Sequence, residues 1–221
     1  MKKIFKKIGL FIVLGFSVAA FNACNKEETP QPKENKQTSL DTDCVVINGV
    51  IWATHNVGEF GKFAENPESA GMFYQWNRKK AWSVTDPKAG IKIDDWNATN
   101  TVGIMWESAN NPCPQGWRMP TNAELETLFD TDKVTNKRTT QNGVAGRLFT
   151  DKATGRSMFL PAVGYRYYHD GELRNAGDGG YYWASDGNQG EACFLYFYGN
   201  AAGVGIHPSA TAFSIRPVRI Q

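Results

Sequence analysis

From Ser157 to Ile220 the chain is a succession of short apolar runs closed off by glycine, asparagine or aspartate, a pattern that commits its last third to strands. The runs cover residues 157–168, 180–185, 191–199, 203–208 and 212–220, with a turn at Asp170-Gly171. Cys193 to Tyr198 has no polar face, which predicts a central strand covered on both sides. Pro217 cannot donate to a ladder, so the last run is expected at an edge or a bulge.

Upstream the pattern is mixed. Asn48-Gly49 between apolar residues, within 44–58, is a hairpin turn signal. Thr121 with Glu124 three residues later forms a capping box, and Leu125, Leu128 and Phe129 supply an apolar stripe, so a helix is predicted over 122–130. Met72, Phe73 and Trp76 stand at helical spacing ahead of Arg78, Lys79 and Lys80, where the helix dipole favours cations; this predicts a second helix over 69–80. Residues 83–111 read as a long surface excursion, and 131–156 as polar, glycine-containing sequence. The expected class is α+β: two short helices packed on small twisted antiparallel sheets, rich in loops.

The N-terminus has a different logic. Lys2, Lys3, Lys6 and Lys7 precede an apolar run from Ile8 to Phe21, the layout of an export signal over residues 1–23. The run is shorter than the roughly 20 residues of a membrane-spanning helix. It ends Phe21-Asn22-Ala23-Cys24, where a small residue before cysteine marks a lipoprotein cleavage site, although Phe21 departs from the usual leucine. Cys24 is therefore expected to be lipidated and to hold the chain at a membrane. The alternative is an ordinary cleavable signal that contains a cysteine; the abrupt change from apolar to polar sequence at Cys24 favours lipidation. Residues 25–41 hold one aliphatic residue, Leu40, and no aromatic one. Such a segment cannot offset its ordering entropy, so 24–43 reads as acylated cysteine plus flexible tether, ahead of one domain over 44–221.

Without the first 23 residues the chain has 20 basic and 22 acidic residues, a formal charge of −2, which offers no electrostatic case for nucleic acid. Cys44, Cys113 and Cys193 remain, and export to an oxidising compartment makes one disulfide plausible. Cys44–Cys113 is the preferred pair, because Cys193 lies in an apolar run; the spacings do not match a zinc site.

Four segments taken in order carry a resemblance: Asn111-Pro-Cys-Pro-Gln-Gly-Trp-Arg-Met-Pro-Thr121, Leu160-Pro-Ala-Val-Gly-Tyr-Arg166, Gly180-Tyr-Tyr-Trp-Ala-Ser185 and Phe213-Ser-Ile-Arg-Pro-Val-Arg219. Over 44–221 the chain resembles the Fibrobacter succinogenes major paralogous domain, whose members are often exported lipoproteins. That family is similar to the C-type lectin-like fold, which is the fold the resemblance implies. Lys26-Glu27-Glu28 resembles the surface-export signal of Bacteroidetes lipoproteins and implies an outer-membrane, lipid-anchored, surface-exposed protein; the alternative is that these charges only solvate the tether. The implied function is a module binding a glycan or protein ligand through Asp178, Tyr182, Asp186, Asn188 and Glu191. Their oxygens would suit calcium, but the Glu-Pro-Asn and Trp-Asn-Asp signatures of sugar-binding lectins are absent, so no cofactor is expected. A structural or assembly subunit of an outer-membrane complex is the alternative. A formylglycine-generating type of enzyme would need two neighbouring cysteines in the C-terminal region, which holds only Cys193, so no catalytic residues are expected.

Overall fold

The computed structural model describes residues 43–220. The export segment 1–23, Cys24 and the tether before residue 43 lie outside them. Strands are numbered along the chain. One sheet has the order β1 (Cys44–Ile47), β2 (Val50–Ala53), β15 (Val218–Arg219), β5 (Trp117–Arg118), which joins the two ends of the domain. A second runs β10 (Leu173–Arg174), β9 (Tyr165–Arg166), β14 (Ala212–Phe213), β3 (Phe73–Gln75), β4 (Ala81–Trp82). The third is β11 (Gly179–Asn188), β12 (Glu191–Tyr198), β13 (Ala201–Pro208), and the fourth β6 (Val134–Gln141), β7 (Val144–Asp151), β8 (Ser157–Pro161). All the strand pairs within these sheets are antiparallel.

The expected α+β, C-type lectin-like architecture with two helices is not what forms. The described chain is mostly β, 42% strand against 6% helical, in four small sheets. Its helical segment is α1 (Asn122–Glu126), continued by a 3-10 turn over Thr127–Phe129. The capping box starts it as expected: Thr121 Oγ1 accepts from Glu124 N–H at 3.2 Å, and Glu124 Oε2 from Thr121 N–H at 2.8 Å. The second predicted helix is instead β3, a turn and β4. Phe73, Tyr74, Gln75 and Trp76 are all buried, at 2% exposure or less, and four consecutive buried side chains leave a helix no solvent face. A strand covered on both sides accommodates them, and Asn77 at φ 59° ends the run.

Residues 131–156, given no element from sequence, form the β6–β7 hairpin around Asn142-Gly143, whose φ values of 48° and 82° are those a two-residue turn requires. Asn48-Gly49 does the same between β1 and β2 (φ 47° and 80°). The last run splits into β14 and β15, and β15 is internal, between β2 and β5, rather than an edge. Pro217 stands just before it, where only its carbonyl is used, accepting from Ala53 N–H at 2.9 Å. The preferred Cys44–Cys113 disulfide is also not formed. Cys113 is a free thiol packed into an aromatic cluster, and burial pushes its pKa well up.

β12 is central, as expected, and its two faces feed two cores. Leu195 and Phe197 join Ile47, Trp52, Leu125, Phe149 and Tyr182; Phe194 joins Tyr74, Trp76, Trp183 and Phe213. Trp183 is fully buried, with its ring 4.2 Å from that of Phe213 and its indole N–H donating to Tyr74 O at 2.8 Å. Two buried arginines fix irregular backbone. Arg216 donates to Asn56 Oδ1 and to the carbonyls of Ala53 and Thr54, and Arg166 to the carbonyls of Ser83, Pro87 and Gly171. Burial pushes the Arg216 guanidinium down to about 10. Trp183→Ala is expected to lower the unfolding free energy by about 3–5 kcal/mol in urea titration. Trp183→Phe, which loses the bond to Tyr74 but keeps most of the ring, should lower it by about 1–3 kcal/mol.

Candidate functional site

The residue stretch that makes the site is the excursion 83–111, held at its C-terminal end by β11. Trp106 N–H donates to Ser185 O at 2.7 Å, Gly187 N–H to Ile104 O at 3.0 Å, and Met105 pairs with Asp186. Residues 104–106 therefore run as an extra strand against the far end of β11. Opposite them, Ser185 N–H donates to Pro120 O at 2.7 Å, which draws in the segment from Arg118 to Thr121; the C-terminal arm adds Ile220, whose N–H bonds Gly116 O at 3.0 Å. Between these walls lies a cleft of about 380 Å³, lined by Met105, Trp106, Met119 and Ile220 with Arg118 and Thr121 among its polar groups. That volume lies within the range of small-ligand sites.

The rim is apolar and open to water. Of the lining residues Met105 is 51% exposed and Ile220 55%, and Ile104, next in sequence to Met105 but outside the lining, is 73% exposed. Trp106 is buried, 5.8 Å from Trp76 in an edge-on contact, and its indole N–H has no hydrogen-bond partner among the described residues. The mostly apolar wall suits an apolar group of a ligand. Arg118 is already engaged, bonding both carboxylate oxygens of Glu124 at 2.7 and 2.8 Å, so it forms wall rather than a free cation. Burial alone would raise the Glu124 carboxyl, but Arg118 and the Thr121 N–H outweigh it and hold the group below its usual 4.5.

The five residues expected from sequence to bind ligand do not converge. Asp178 is exposed just before β11, 3.7 Å from Arg138. Tyr182 is fully buried and donates to Pro161 O at 2.6 Å, so it is core. Asp186 accepts from Asn122 N–H at 2.6 Å and caps α1. Asn188 and Glu191 are exposed and paired across the β11–β12 turn, at the opposite end of β11 from Asp178. Among the described residues no three His, Cys, Asp or Glu side chains are grouped as metal ligands would be. Sequence reasoning missed the cleft itself. Its signal was Val102, Ile104 and Met105, three apolar residues in otherwise polar sequence that the structure leaves in water.

These features define a mostly β domain with a loop-built apolar cleft. The chain belongs to the Fibrobacter succinogenes major domain family, which it matches over residues 17–219. No curated protein and no solved structure matches it.

Glu124 carries a pH prediction. A carboxyl held below its unfolded value stabilises the fold above that value and loses the contribution as pH falls through the folded pKa. Denaturant midpoints should therefore drop as pH falls below about 4.5 in the unaltered protein, while the stability difference to Glu124→Gln narrows.

Proposed function

We propose that this chain is a membrane-anchored binding module, lipidated at Cys24 and displayed at the outer membrane, whose cleft takes an apolar group of a protein ligand. The observation that carries the reading is the cleft lined by Met105, Trp106, Met119 and Ile220, with Met105 and Ile220 left about half exposed at its mouth. Exposed apolar residues gathered at one place mark interaction sites. Anchoring is supported by the sequence around Cys24 alone.

The full-length protein should be panned against displayed peptides, with and without calcium, and the selected peptides titrated by calorimetry. Met105→Asp is expected to weaken them at least tenfold, and Ile220→Asp to do likewise. Peptides unaffected by both changes would place binding elsewhere. Separately, Cys24→Ser should abolish incorporation of labelled palmitate and release the protein from the membrane fraction; retention of label would refute the anchor.

An assembly subunit is the second reading, favoured by β13. Among the described residues this eight-residue strand pairs only with β12, and it carries no Lys, Arg, Asp or Glu. An uncharged open edge can accept a strand. Isolation of a stable outer-membrane complex that Val204→Lys disrupts would support this reading.

A further inference from the structure

On the face of the third sheet that points toward the Trp183–Phe213 cluster, pairing places the side chains in rows across the three strands. Trp183, Phe194 and Gly205 form one, Tyr181, Tyr196 and Gly203 the next, and Gly179, Tyr198 and Ala201 the outermost. Burial falls off along this series: Trp183 is fully buried, Tyr181 and Tyr196 are half-buried, and Tyr198 is 50% exposed. The flanking positions are Gly179, Ala201 and Gly203, so no neighbouring side chain covers the phenol rings from the edge strands. A Cβ built on Gly203 would lie 3.7 Å from the Tyr196 ring, which shows how directly the ring sits over that glycine.

Other rings extend the surface. Tyr165 packs edge-on to Tyr181 at 4.7 Å, and His207 lies 6.1 Å from Tyr165 and 6.2 Å from Tyr168. The polar groups around it are hydroxyls, the Asn175 amide and, at the margin, the charged Asp178 and Arg174, the latter 3.5 Å over the Tyr167 ring and beside Tyr165. Asn175 Nδ2 donates to the Tyr181 hydroxyl at 2.7 Å, so that hydroxyl keeps its own proton to donate outward. No charged side chain stands in the three rows. Burial lowers the His207 pKa, which keeps its imidazole neutral near pH 7. Asp178, at the rim, immediately precedes Gly179, the partner of Tyr198.

We propose that this tyrosine shelf, formed by Tyr181, Tyr196 and Tyr198 over Gly179, Ala201 and Gly203, is a binding site for a neutral carbohydrate chain. Pyranose rings present an apolar C–H face, which stacks on the electron-rich face of a phenol. Their equatorial hydroxyls need donors and acceptors at the margin, which the Tyr181 hydroxyl, Asn175 and Asp178 provide. The rows carry no charged side chain and the margin carries both signs, Asp178 beside Arg138 and Arg174 beside Tyr165, which matches a neutral ligand, and the openness along β12 and β13 fits an extended chain rather than a single sugar. It is distinct from the cleft, which shares none of these residues.

The test is affinity electrophoresis of the full-length protein in gels containing mixed-linkage β-glucan, xylan or mannan, with heparin as an anionic comparison. Retardation is expected in at least one neutral polysaccharide. Tyr196→Ala should weaken it at least tenfold. Gly203→Val should do the same while leaving the thermal midpoint near that of the unaltered protein, because the site is a strand with ordinary backbone and an uncrowded Cβ. No retardation by any neutral polysaccharide, retardation by heparin alone, or retardation that survives both substitutions would overturn the proposal.

Discussion

The indole N–H of Trp183 bonds a carbonyl on another sheet, and much of the domain is organised around that link. Trp183 lies in β11, and Tyr74, its acceptor, lies in β3 of the second sheet. The same strand makes parallel bridges from Gly180 to Gly164 and from Tyr182 to Ser214, pairs along its length with β12, and ends by holding residues 104–106. The sheets are small, some strands only two residues long, so none has an interior of its own. They become a domain because large buried side chains reach between them and find both packing and a hydrogen-bond partner. A tryptophan does this where a leucine would not, since its ring fills space and its N–H donates to a carbonyl of another sheet.

The parts legible from sequence are those where local chemistry and tertiary environment agree. Asn48-Gly49 needs positive φ at both turn positions, and the capping box needs only residues three apart, so both were readable. The run Cys193–Tyr198 was readable because apolar residues on both faces of a strand admit only a central position. Asn142-Gly143 carried the same turn signal and went unread, because β6 (VTNKRTTQ) is a polar strand whose apolar content is nearly absent. The segment 69–80 misled for the opposite reason. Its apolar residues fit a helical spacing, but Tyr74 and Gln75, which that spacing assigns to the solvent side, are buried too. Gln75 is inside because its amide bonds the carbonyls of Asn97 and Ala210, partners far away in sequence.

The site was less legible than the fold, and for a physical reason. Sequence reasoning looked for ligand contacts in polar residues near glycine, between Gly177 and Glu191. β11 buries residues on both of its faces, so Tyr182 and Trp183 are both core, while Tyr181, nearer the strand's start, is half-buried and reaches the shelf. Asp186 was claimed by a helix end that no local pattern couples to it. Apolar residues that fold into water, such as Ile104 and Met105, cannot be told from core residues until the backbone is seen.

The cleft depends on a loop that the core holds in place. Residues 83–111 contain almost no regular structure, yet they are fastened at intervals. Trp96 donates to Tyr168 O at 2.8 Å and packs at a tilt 4.8 Å from Trp82, Thr101 exchanges hydrogen bonds with Ser209, and Trp106 is tied to Ser185. Arg166, fully buried, bonds the carbonyls of Ser83 and Pro87 at the start of the same excursion. A loop pinned in this way has already lost the backbone freedom that binding would otherwise remove, roughly 1–2 kcal/mol per residue. Its exposed apolar rim can then meet a ligand at lower entropic cost, which is how irregular backbone becomes a defined surface. The buried arginines and three of the tryptophans meet that requirement: Arg166, Arg216, Trp76, Trp96 and Trp183 each donate to a backbone carbonyl.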